Sequence, residues 1–340
     1  MSSLSDTLID SGHVPDALLR QAIRANIGLR LARLHGAALA GRGDARRFSR
    51  ATDGDPIALQ TAAANAQHYE VPVDFFRAVL GPRLKYSSCL WPAGVETLAE
   101  AESEMLRLTC ERAELEDGMS VLDLGCGWGS LSFWILEQYP NARLVAVTNS
   151  RVQREHIERE RERRVGAHGR LEVVLADVND LDLGRRFDRV VSVEMVEHVR
   201  NHRRLLERVA THLKADGALF VHHFSHRRFA YAFDRSWMAR RFFSGGTMPS
   251  HDLLDHVAGP LRAADSWVVP GTHYARTARA WLTNLDARRT AVAAALGTAS
   301  DVPSEVWIDR WRVFFLACEE LFAFRAGREW HVSHVLLRSV

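Results

Sequence analysis

The sequence predicts an α/β protein built on a doubly wound, mostly parallel sheet, with an N-terminal helical segment and an inserted helical cap. Short apolar runs alternate with helical patterns through the middle of the chain, which is typical of parallel strands joined by crossover helices. The run at residues 120–124 leads directly into three glycines at alternate positions. An aromatic stretch at residues 229–261 then interrupts this alternation, which indicates an insertion over the carboxyl edge of the sheet.

The composition limits the class of function. The 340 residues are 47% hydrophobic and 25% charged, and the formal net charge is only +2, so a nucleic-acid-binding protein is not expected. The sequence has no apolar run long enough to span a bilayer and no apolar signal core near its N-terminus, which predicts a cytoplasmic protein without stable membrane insertion. Its four cysteines lack the spacing of a metal site and are expected to be free thiols.

Residues 1–60 are predicted to form a helical extension and a linker. Five apolar residues recur at helical spacing with arginines between them: Leu19, Ile23, Ile27, Leu31 and Leu34. This pattern predicts a basic amphipathic helix at residues 15–34, which we expect to pack on the protein itself or on a second copy in a homodimer. A membrane-surface helix is the alternative. Residues 40–55, rich in Gly, Arg, Asp and Ser, are predicted to be the linker.

Residues 61–115 are predicted to form a helical cover over the active site. Two stretches, residues 68–76 and 84–91, bring aromatic, histidine and hydroxyl side chains together in predicted loops and short helices. Loops that carry such residues are common positions for functional sites. A charged helix is expected at residues 96–114.

Residues 116–225 are predicted to be the ligand-binding core. Strands are expected at residues 120–124, 143–148, 171–175, 187–193 and 218–222, and helices at 130–137, 151–164 and 203–213. Asp123 lies near the end of the first strand, and Gly125, Gly127 and Gly129 follow it. Glycine lets a ligand approach the backbone closely, and the free N–H groups of the following helix point at the same loop. The acidic Asp123 disfavours a pyrophosphate and suits a ligand with a cationic amino group.

Further polar side chains follow the second and third strands. Thr148, Asn149 and Gln153 lie where nucleotide-binding α/β folds meet a ribose. Asp177 follows the third strand, where its carboxylate could accept a hydrogen bond from an adenine amino group.

The fourth strand ends in Glu194-Met-Val-Glu-His198. A helical turn here would place Glu194, Glu197 and His198 on one face, where they could serve as a base or a proton shuttle. A solvated first helical turn is the alternative, because the helix dipole stabilises acidic residues there. Three histidines at the next strand end lack the spacing of a metal site, so no metal is predicted: His222, His223 and His226.

Residues 226–262 are predicted to form the cap insertion, and residues 263–340 to complete the core and the substrate pocket. In this last part we expect a strand containing residues 271–275 and helices at 278–296 and 307–324. A final strand at residues 329–337 is expected to carry Trp330.

From about residue 65 to the end, the chain resembles the cyclopropane-fatty-acid-synthase superfamily of S-adenosylmethionine methyltransferases. Within that superfamily it is most similar to the coclaurine N-methyltransferase branch. The matching stretches are HYEVP (68–72), KYS (85–87), LDLGCGWG (122–129), TNSRVQ (148–153), SVEMVEH (192–198), FFSGGTMPS (242–250), HYA (273–275) and EWHVSH (329–334).

The resemblance implies a Rossmann-like class I methyltransferase fold and an S-adenosylmethionine site. Gly125 and Gly127 would approach the methionine part of the cofactor, and Tyr86 and Ser87 would close over it. The other cofactor residues would be those at the strand ends, with Thr148 and Gln153 at the ribose and Asp177 at the adenine.

The same resemblance assigns the catalytic and substrate groups. The branch uses two glutamates and a histidine, which correspond to Glu194, Glu197 and His198. In this assignment Glu197 and His198 accept or relay a proton, and Glu194 orients the amine. An aromatic amine pocket would contain Phe243 and Trp330, because aromatic rings hold the apolar body of an amine and favour its developing cation.

The chain departs from the lipid-modifying members of the superfamily at their bicarbonate site. Those enzymes hold bicarbonate with a cysteine, a glutamate, a histidine and a tyrosine. Here Glu197, His222 and Tyr274 match, but Ser88 occupies the cysteine position, and Glu194 replaces a small residue. The expected activity is therefore N-methylation of a small, cyclic, alkaloid-like amine. Methylation or cyclopropanation of an unsaturated lipid is the main alternative. Weaker alternatives are a nucleic-acid methyltransferase and an inactive interaction module.

Overall fold

The computed structural model describes residues 8–39, 44–58, 71–164, 169–233, 237–243, 245–257, 259–297 and 302–340. The strands are β1 (Ser120–Leu124), β2 (Arg143–Thr148), β3 (Leu171–Leu175), β4 (Phe187–Val193), β5 (Leu213–His226), β6 (Tyr231–Ala232), β7 (Thr247–Met248), β8 (Leu261–Val269) and β9 (Trp330–Ser339). Within the described residues, seven strands form the central sheet in the order β3-β2-β1-β4-β5-β9-β8. Strands β1 to β5 are parallel, and β9 is antiparallel to both β5 and β8.

Helices cover both faces of the sheet. They are α1 (Asp16–Leu39), α2 (Ala45–Ala51), α3 (Val73–Val79), α4 (Leu98–Arg112), α5 (Ser130–Gln138), α6 (Arg151–Arg163), α7 (His202–Thr211), α8 (Trp237–Phe242), α9 (Leu253–His256), α10 (Gly271–Ala287), α11 (Arg289–Leu296) and α12 (Ser304–Ala323). The described chain contains no helix that is both long enough and apolar enough to cross a membrane.

The predicted doubly wound sheet is confirmed, and alternate residues of each strand face opposite helical layers. Leu122 and Val190 pack in one buried apolar cluster, whereas their neighbours Val121 and Val191 pack in another. This period of two is what a parallel strand buried on both faces requires. Strands β1 to β4 have the predicted bounds. Strand β5 continues beyond its predicted end because it pairs with β9 as far as His226.

Three predictions outside the parallel strands were wrong. The predicted linker contains helix α2, which begins after Asp44, whose carboxylate accepts a hydrogen bond from the backbone N–H of Arg46. Residues 271–275 open helix α10 instead of forming a strand, and β8 precedes them. The single helix expected at residues 278–296 is two helices that meet at Arg288.

The cap consists of the short antiparallel pair β6 and β7 with helices α8 and α9. The N-terminal helix α1 packs along α12, and its Ile27 and Leu31 are buried in the same apolar cluster as Phe242 and Phe314. The stretch at residues 68–70 lies outside the described residues. The helical layer thus closes over the carboxyl ends of the parallel strands.

Candidate active site

A cavity opens at the carboxyl ends of β1, β2 and β4, under the helical layer. Its wall includes these predicted cofactor residues: Tyr86, Ser87, Asp123, Gly125, Gly127, Thr148, Asn149 and Gln153. Four predicted catalytic or substrate residues share the wall: Glu194, His198, Phe243 and Tyr274. The other four predicted site residues are not among the lining residues: Asp177, Glu197, His222 and Trp330.

The glycine loop forms the floor of the cavity. Gly125 and Gly127 have φ angles of 83° and 54°, which non-glycine residues rarely adopt. A Cβ atom on Gly125 would lie 2.7 Å from the side chain of Met195, whereas a Cβ on Gly127 would meet no atom within 4 Å. Gly127 therefore presents bare backbone to the open cavity, as a cofactor cradle requires.

Asp123 is buried beside this loop, and its Oδ2 accepts a hydrogen bond of 2.7 Å from the Ser132 hydroxyl. Burial raises the pKa of its carboxyl group to about 6. A ligand cation close to this carboxylate would offset the unfavourable burial of its charge.

Gln153 provides the second indication of a bound ligand. The Thr148 hydroxyl donates a hydrogen bond of 2.7 Å to Gln153 Oε1. Gln153 Nε2 is buried and has no hydrogen-bond partner within the described residues. Because buried donors are normally satisfied, this amide fits a hydroxyl or another acceptor of a ligand that lies on the glycine cradle.

Asp177 follows β3 at the edge of the cavity, and its neighbours Ala176 and Val178 contribute to the wall. Its Oδ1 accepts hydrogen bonds from the backbone N–H and the side-chain amide of Asn179. The aspartate thus stabilises the turn that shapes this wall, and its contact with an adenine stays a prediction.

The structure corrects the geometry expected for Glu194, Glu197 and His198. Glu194 has a φ angle of 48°, and a 3-10 turn follows at Val196–His198 instead of an α-helix. As a result, Glu194 and His198 line the cavity, but Glu197 does not. Glu197 Oε1 accepts a hydrogen bond of 2.7 Å from the backbone N–H of Phe224, so this side chain is directed toward β5.

Glu194 has three hydrogen-bond partners around its carboxylate. Oε1 accepts a hydrogen bond of 2.8 Å from the backbone N–H of Ser88 and lies 3.3 Å from His222 Nε2. Oε2 accepts a hydrogen bond of 2.6 Å from the hydroxyl of Tyr274. Although His222 does not line the cavity, it contacts the carboxylate that does.

Burial controls the protonation of this group. Burial raises the pKa of Glu194. It also raises the pKa of Glu197, and the negative charge of the neighbouring Glu194 raises that pKa further. Burial lowers the pKa of His198 to about 4. At neutral pH, His198 is therefore an uncharged imidazole that can accept a proton, and burial shifts Glu197 toward its protonated form.

Aromatic side chains surround the space above Glu194. Phe243 stacks on the ring of His198, with 6.1 Å between the ring centroids. Phe224, Phe314 and Trp281 also line the wall, although none of them was predicted to belong to the site. In the sequence, Trp281 and Phe314 are apolar positions of predicted helices, and Phe224 follows the end of a predicted strand.

The prediction for Trp330 is not supported by its position. This residue begins β9 opposite His226, is fully buried, and donates a hydrogen bond of 3.1 Å from Nε1 to the hydroxyl of Tyr231. The antiparallel pairing of β9 therefore directs Trp330 toward the cap instead of the cavity wall.

Comparisons with known proteins agree with this arrangement. The sequence profile of the family described as mycolic acid cyclopropane synthetase matches residues 58–332. The chain is 37% identical over 291 residues to (S)-coclaurine N-methyltransferase from Thalictrum flavum subsp. glaucum, covering 83% of this chain and 80% of that protein. It is 30% identical over 268 residues to cyclopropane-fatty-acyl-phospholipid synthase from Escherichia coli strain K12, covering 78% of this chain and 66% of that protein.

The fold comparison extends to the N-terminal region. A crystal structure of coclaurine N-methyltransferase bound to N-methylheliamine and S-adenosylhomocysteine superposes with a TM-score of 0.92 and 32% sequence identity, covering 98% of each chain. The sequence profile, the relatives and the fold lead to one conclusion: the chain belongs to the mycolic acid cyclopropane synthetase family and is an S-adenosylmethionine-dependent methyltransferase.

Proposed function

We propose that this enzyme methylates the nitrogen atom of a small cyclic amine of the alkaloid type. The observation that carries the proposal is the carboxylate of Glu194 on a cavity wall that also carries the rings of Phe224, Phe243 and Phe314. The relatives named for N-methylation of coclaurine, tetrahydroprotoberberine and pavine support the same reaction class.

The cofactor would lie on the glycine cradle. Asp123 would face its ammonium group, and Gln153 Nε2 would donate to a ribose hydroxyl. Tyr86 and Ser87 would cover the methionine part. When bound, S-adenosylmethionine supplies an electrophilic methyl group on a sulfonium sulfur. The enzyme then needs mainly to place an uncharged amine nitrogen in line with this methyl group.

The aromatic wall and Glu194 would bind and orient the amine. Phe224, Phe243 and Phe314 offer apolar faces to the body of the ligand, and ring faces also attract the positive charge that develops on nitrogen. The Glu194 carboxylate would accept a hydrogen bond from the amine and stabilise the same charge.

Proton removal would be the task of His198. This imidazole lines the cavity and is uncharged at neutral pH because burial lowers its pKa to about 4. Glu197 would act through position, since its contact with the Phe224 N–H fixes the turn that carries His198. Direct proton acceptance, which the resemblance implies for Glu197 and His198 together, is therefore given to His198 alone.

The lipid reaction is less compatible with the site. In the lipid-modifying members of the superfamily that this chain resembles, a histidine and a tyrosine help to hold bicarbonate. These two residues correspond to His222 and Tyr274. Here both contact the carboxylate of Glu194 instead. A bicarbonate ion would have to displace a side chain that is already hydrogen-bonded to three donors.

The test is methyl transfer from methyl-labelled S-adenosylmethionine to two panels of substrates, cyclic secondary or tertiary amines and unsaturated phospholipids, with and without bicarbonate. We expect labelled N-methyl products, no stimulation by bicarbonate, and no gain on amines from Ser88→Cys. Bicarbonate-dependent labelling of a phospholipid, with no amine labelled at any pH, would refute the proposal.

A further inference from the structure

A line of hydrogen-bonded side chains leads away from Glu194 into the sheet. On the far side of His222, its Nδ1 lies 2.9 Å from Nε2 of His334. His334 Nδ1 in turn lies 2.9 Å from Nη1 of Arg112. His222 and His334 are both fully buried and stand opposite each other in the pairing of β5 with β9. The reaction described above makes no use of Arg112 or His334.

This line has only one self-consistent direction. A guanidinium group donates hydrogen bonds and cannot accept them, so His334 Nδ1 must accept and His334 Nε2 must carry the proton. His222 Nδ1 then accepts, and His222 Nε2 is left to donate to Glu194 Oε1. The reverse arrangement would place two N–H groups against each other between Arg112 and His334. Burial lowers the pKa of both imidazoles well below the usual range, so each carries a single N–H.

The same chemistry argues against a proton wire. Arg112 ends the line and has no site that can accept a proton from His334. A proton taken from the amine therefore cannot leave the site by this route. What the line can transmit is orientation, because a donor fixed at one end determines the tautomer of each ring in turn.

We propose that Arg112 and His334 are positioning residues that fix the Nε2–H tautomer of His222 and so hold Glu194 as an oriented, ionised carboxylate. The proposal rests on the function proposed above, in which Glu194 faces the amine. Other groups act on Glu194 from the surrounding elements. The Ser88 N–H and the Tyr274 hydroxyl donate to it, a positive charge on Lys85 or His198 favours its charged form, and a negative charge on Glu197 opposes that form.

The experiment compares His334→Phe with His334→Gln. Glutamine can accept from Arg112 with Oε1 and donate to His222 with Nε2, whereas phenylalanine can do neither. Nitrogen NMR of the histidine rings should show His222 protonated at Nε2 in the wild type and in His334→Gln, and a mixture of tautomers in His334→Phe. Calorimetry should give the same S-adenosylmethionine affinity for all three proteins.

The pH dependence of kcat/KM on an amine provides the kinetic readout. In His334→Phe the acid limb of the pH profile should move to higher pH by about one pH unit, a tenfold change in proton concentration. This is the low end of the pKa shifts caused by losing a favourable neighbouring group. His334→Gln should restore the wild-type limb. Arg112→Met, at the partly exposed end of the line, is a second disrupting variant if His334→Phe does not fold.

Two results would overturn the proposal. One is a wild-type His222 protonated at Nδ1, and the other is an unchanged His222 spectrum and acid limb in both His334→Phe and Arg112→Met. If the wild type methylates no amine, the proposed function fails, but the NMR measurement still tests the tautomer by itself.

Discussion

Burial gives individual carboxylates and imidazoles of this cavity properties that they lack in water. The pKa of Asp123 rises to about 6 and that of His198 falls to about 4, in both cases mainly through desolvation. Near neutral pH, His198 is therefore uncharged, whereas the Asp123 carboxylate is ionised but less stable than it would be in water, so a nearby ligand cation would stabilise it. Perturbed groups of this kind concentrate at functional sites.

Replacement of His198 should separate catalysis from binding. We expect His198→Ala to lower kcat on an amine by about 10²–10⁴-fold, the usual contribution of a positioned base, while the calorimetric affinity for S-adenosylmethionine changes little. Raising the pH should partly restore kcat, because more of the amine is then already deprotonated. A loss of activity that follows a loss of cofactor affinity, with no recovery at high pH, would contradict the role given to His198.

Gly127→Val should abolish S-adenosylmethionine binding. The new side chain would project from the cradle into the open cavity, where only glycine leaves the backbone accessible. Gly94→Val is the matched control, because Gly94 also has a positive φ angle, of 87°, and open space around its Cβ position, but lies in an exposed turn away from the cavity. Calorimetric titration of both folded variants is the measurement, and near-normal affinity in Gly127→Val would show that the glycine loop does not hold the cofactor.

At the scale of elements, α1 is held against α12 by charge as well as by apolar packing. Arg20 donates hydrogen bonds of 2.7 Å to Glu320 and 2.8 Å to Glu319. Arg24 also donates to Glu320, and Arg279 also donates to Glu319. Both glutamates are nearly fully buried, so their charges depend on these arginines. The expectation that the amphipathic helix packs on the protein itself is confirmed, whereas self-association stays a prediction.

Arg20→Ala should therefore destabilise the protein by roughly 1–3 kcal/mol. This loss of stability is smaller than the loss expected when one partner is removed from a fully buried ion pair. The reason is that Arg24 and Arg279 still contact the two glutamates and that Arg20 is partly exposed. The exposed Arg33 provides the control, since Arg33→Ala should have little effect on denaturant unfolding. If Arg20→Ala leaves stability unchanged but abolishes co-sedimentation with anionic vesicles, α1 is a membrane-binding helix and this assignment is wrong.

At the scale of the whole molecule, a strip of buried polar side chains crosses the sheet where β5 pairs with β9. It contains His222, His223, Ser225, His226, His331, Ser333 and His334. Burial lowers the pKa of His223 and His226 to about 3 and that of His331 to about 4. Between about pH 6.5 and about pH 4, these histidines take up a proton only when the chain unfolds, so each one weakens the folded state as the pH falls through this range. Buried carboxyl groups with raised pKa values, such as Asp123, act in the opposite direction.

A variant can isolate one of these opposing contributions. His223→Gln removes a titrating ring that is fully buried and does not line the cavity. From pH 7.5 to pH 5, the wild type should lose about 2 kcal/mol relative to this variant, because the unfolded histidine gains a proton and the folded one does not. Urea unfolding of both proteins across this range is the measurement. A difference in stability that does not vary with pH would show that His223 binds its proton equally well in the folded and unfolded states.

Local sequence patterns determined the parallel sheet and most of the cofactor site. The apolar runs gave β1 to β4 their bounds, because a strand buried on both faces has a simple periodicity and ends at a turn. The carboxyl ends of parallel strands meet at one edge, so residues at successive strand ends, such as Gly127, Thr148 and Glu194, had to approach one another.

Tertiary structure decided which of the predicted side chains reach the cavity. The left-handed backbone of Glu194 and the 3-10 turn after it separate Glu194 from Glu197, and no spacing in the sequence specifies that turn. The antiparallel return of β9 directs Trp330 away from the cavity and brings His334 to His222, 112 residues earlier in the chain. Contacts between such distant residues depend on the register of a whole sheet, whereas strand periodicity and glycine turns depend on neighbours in the sequence.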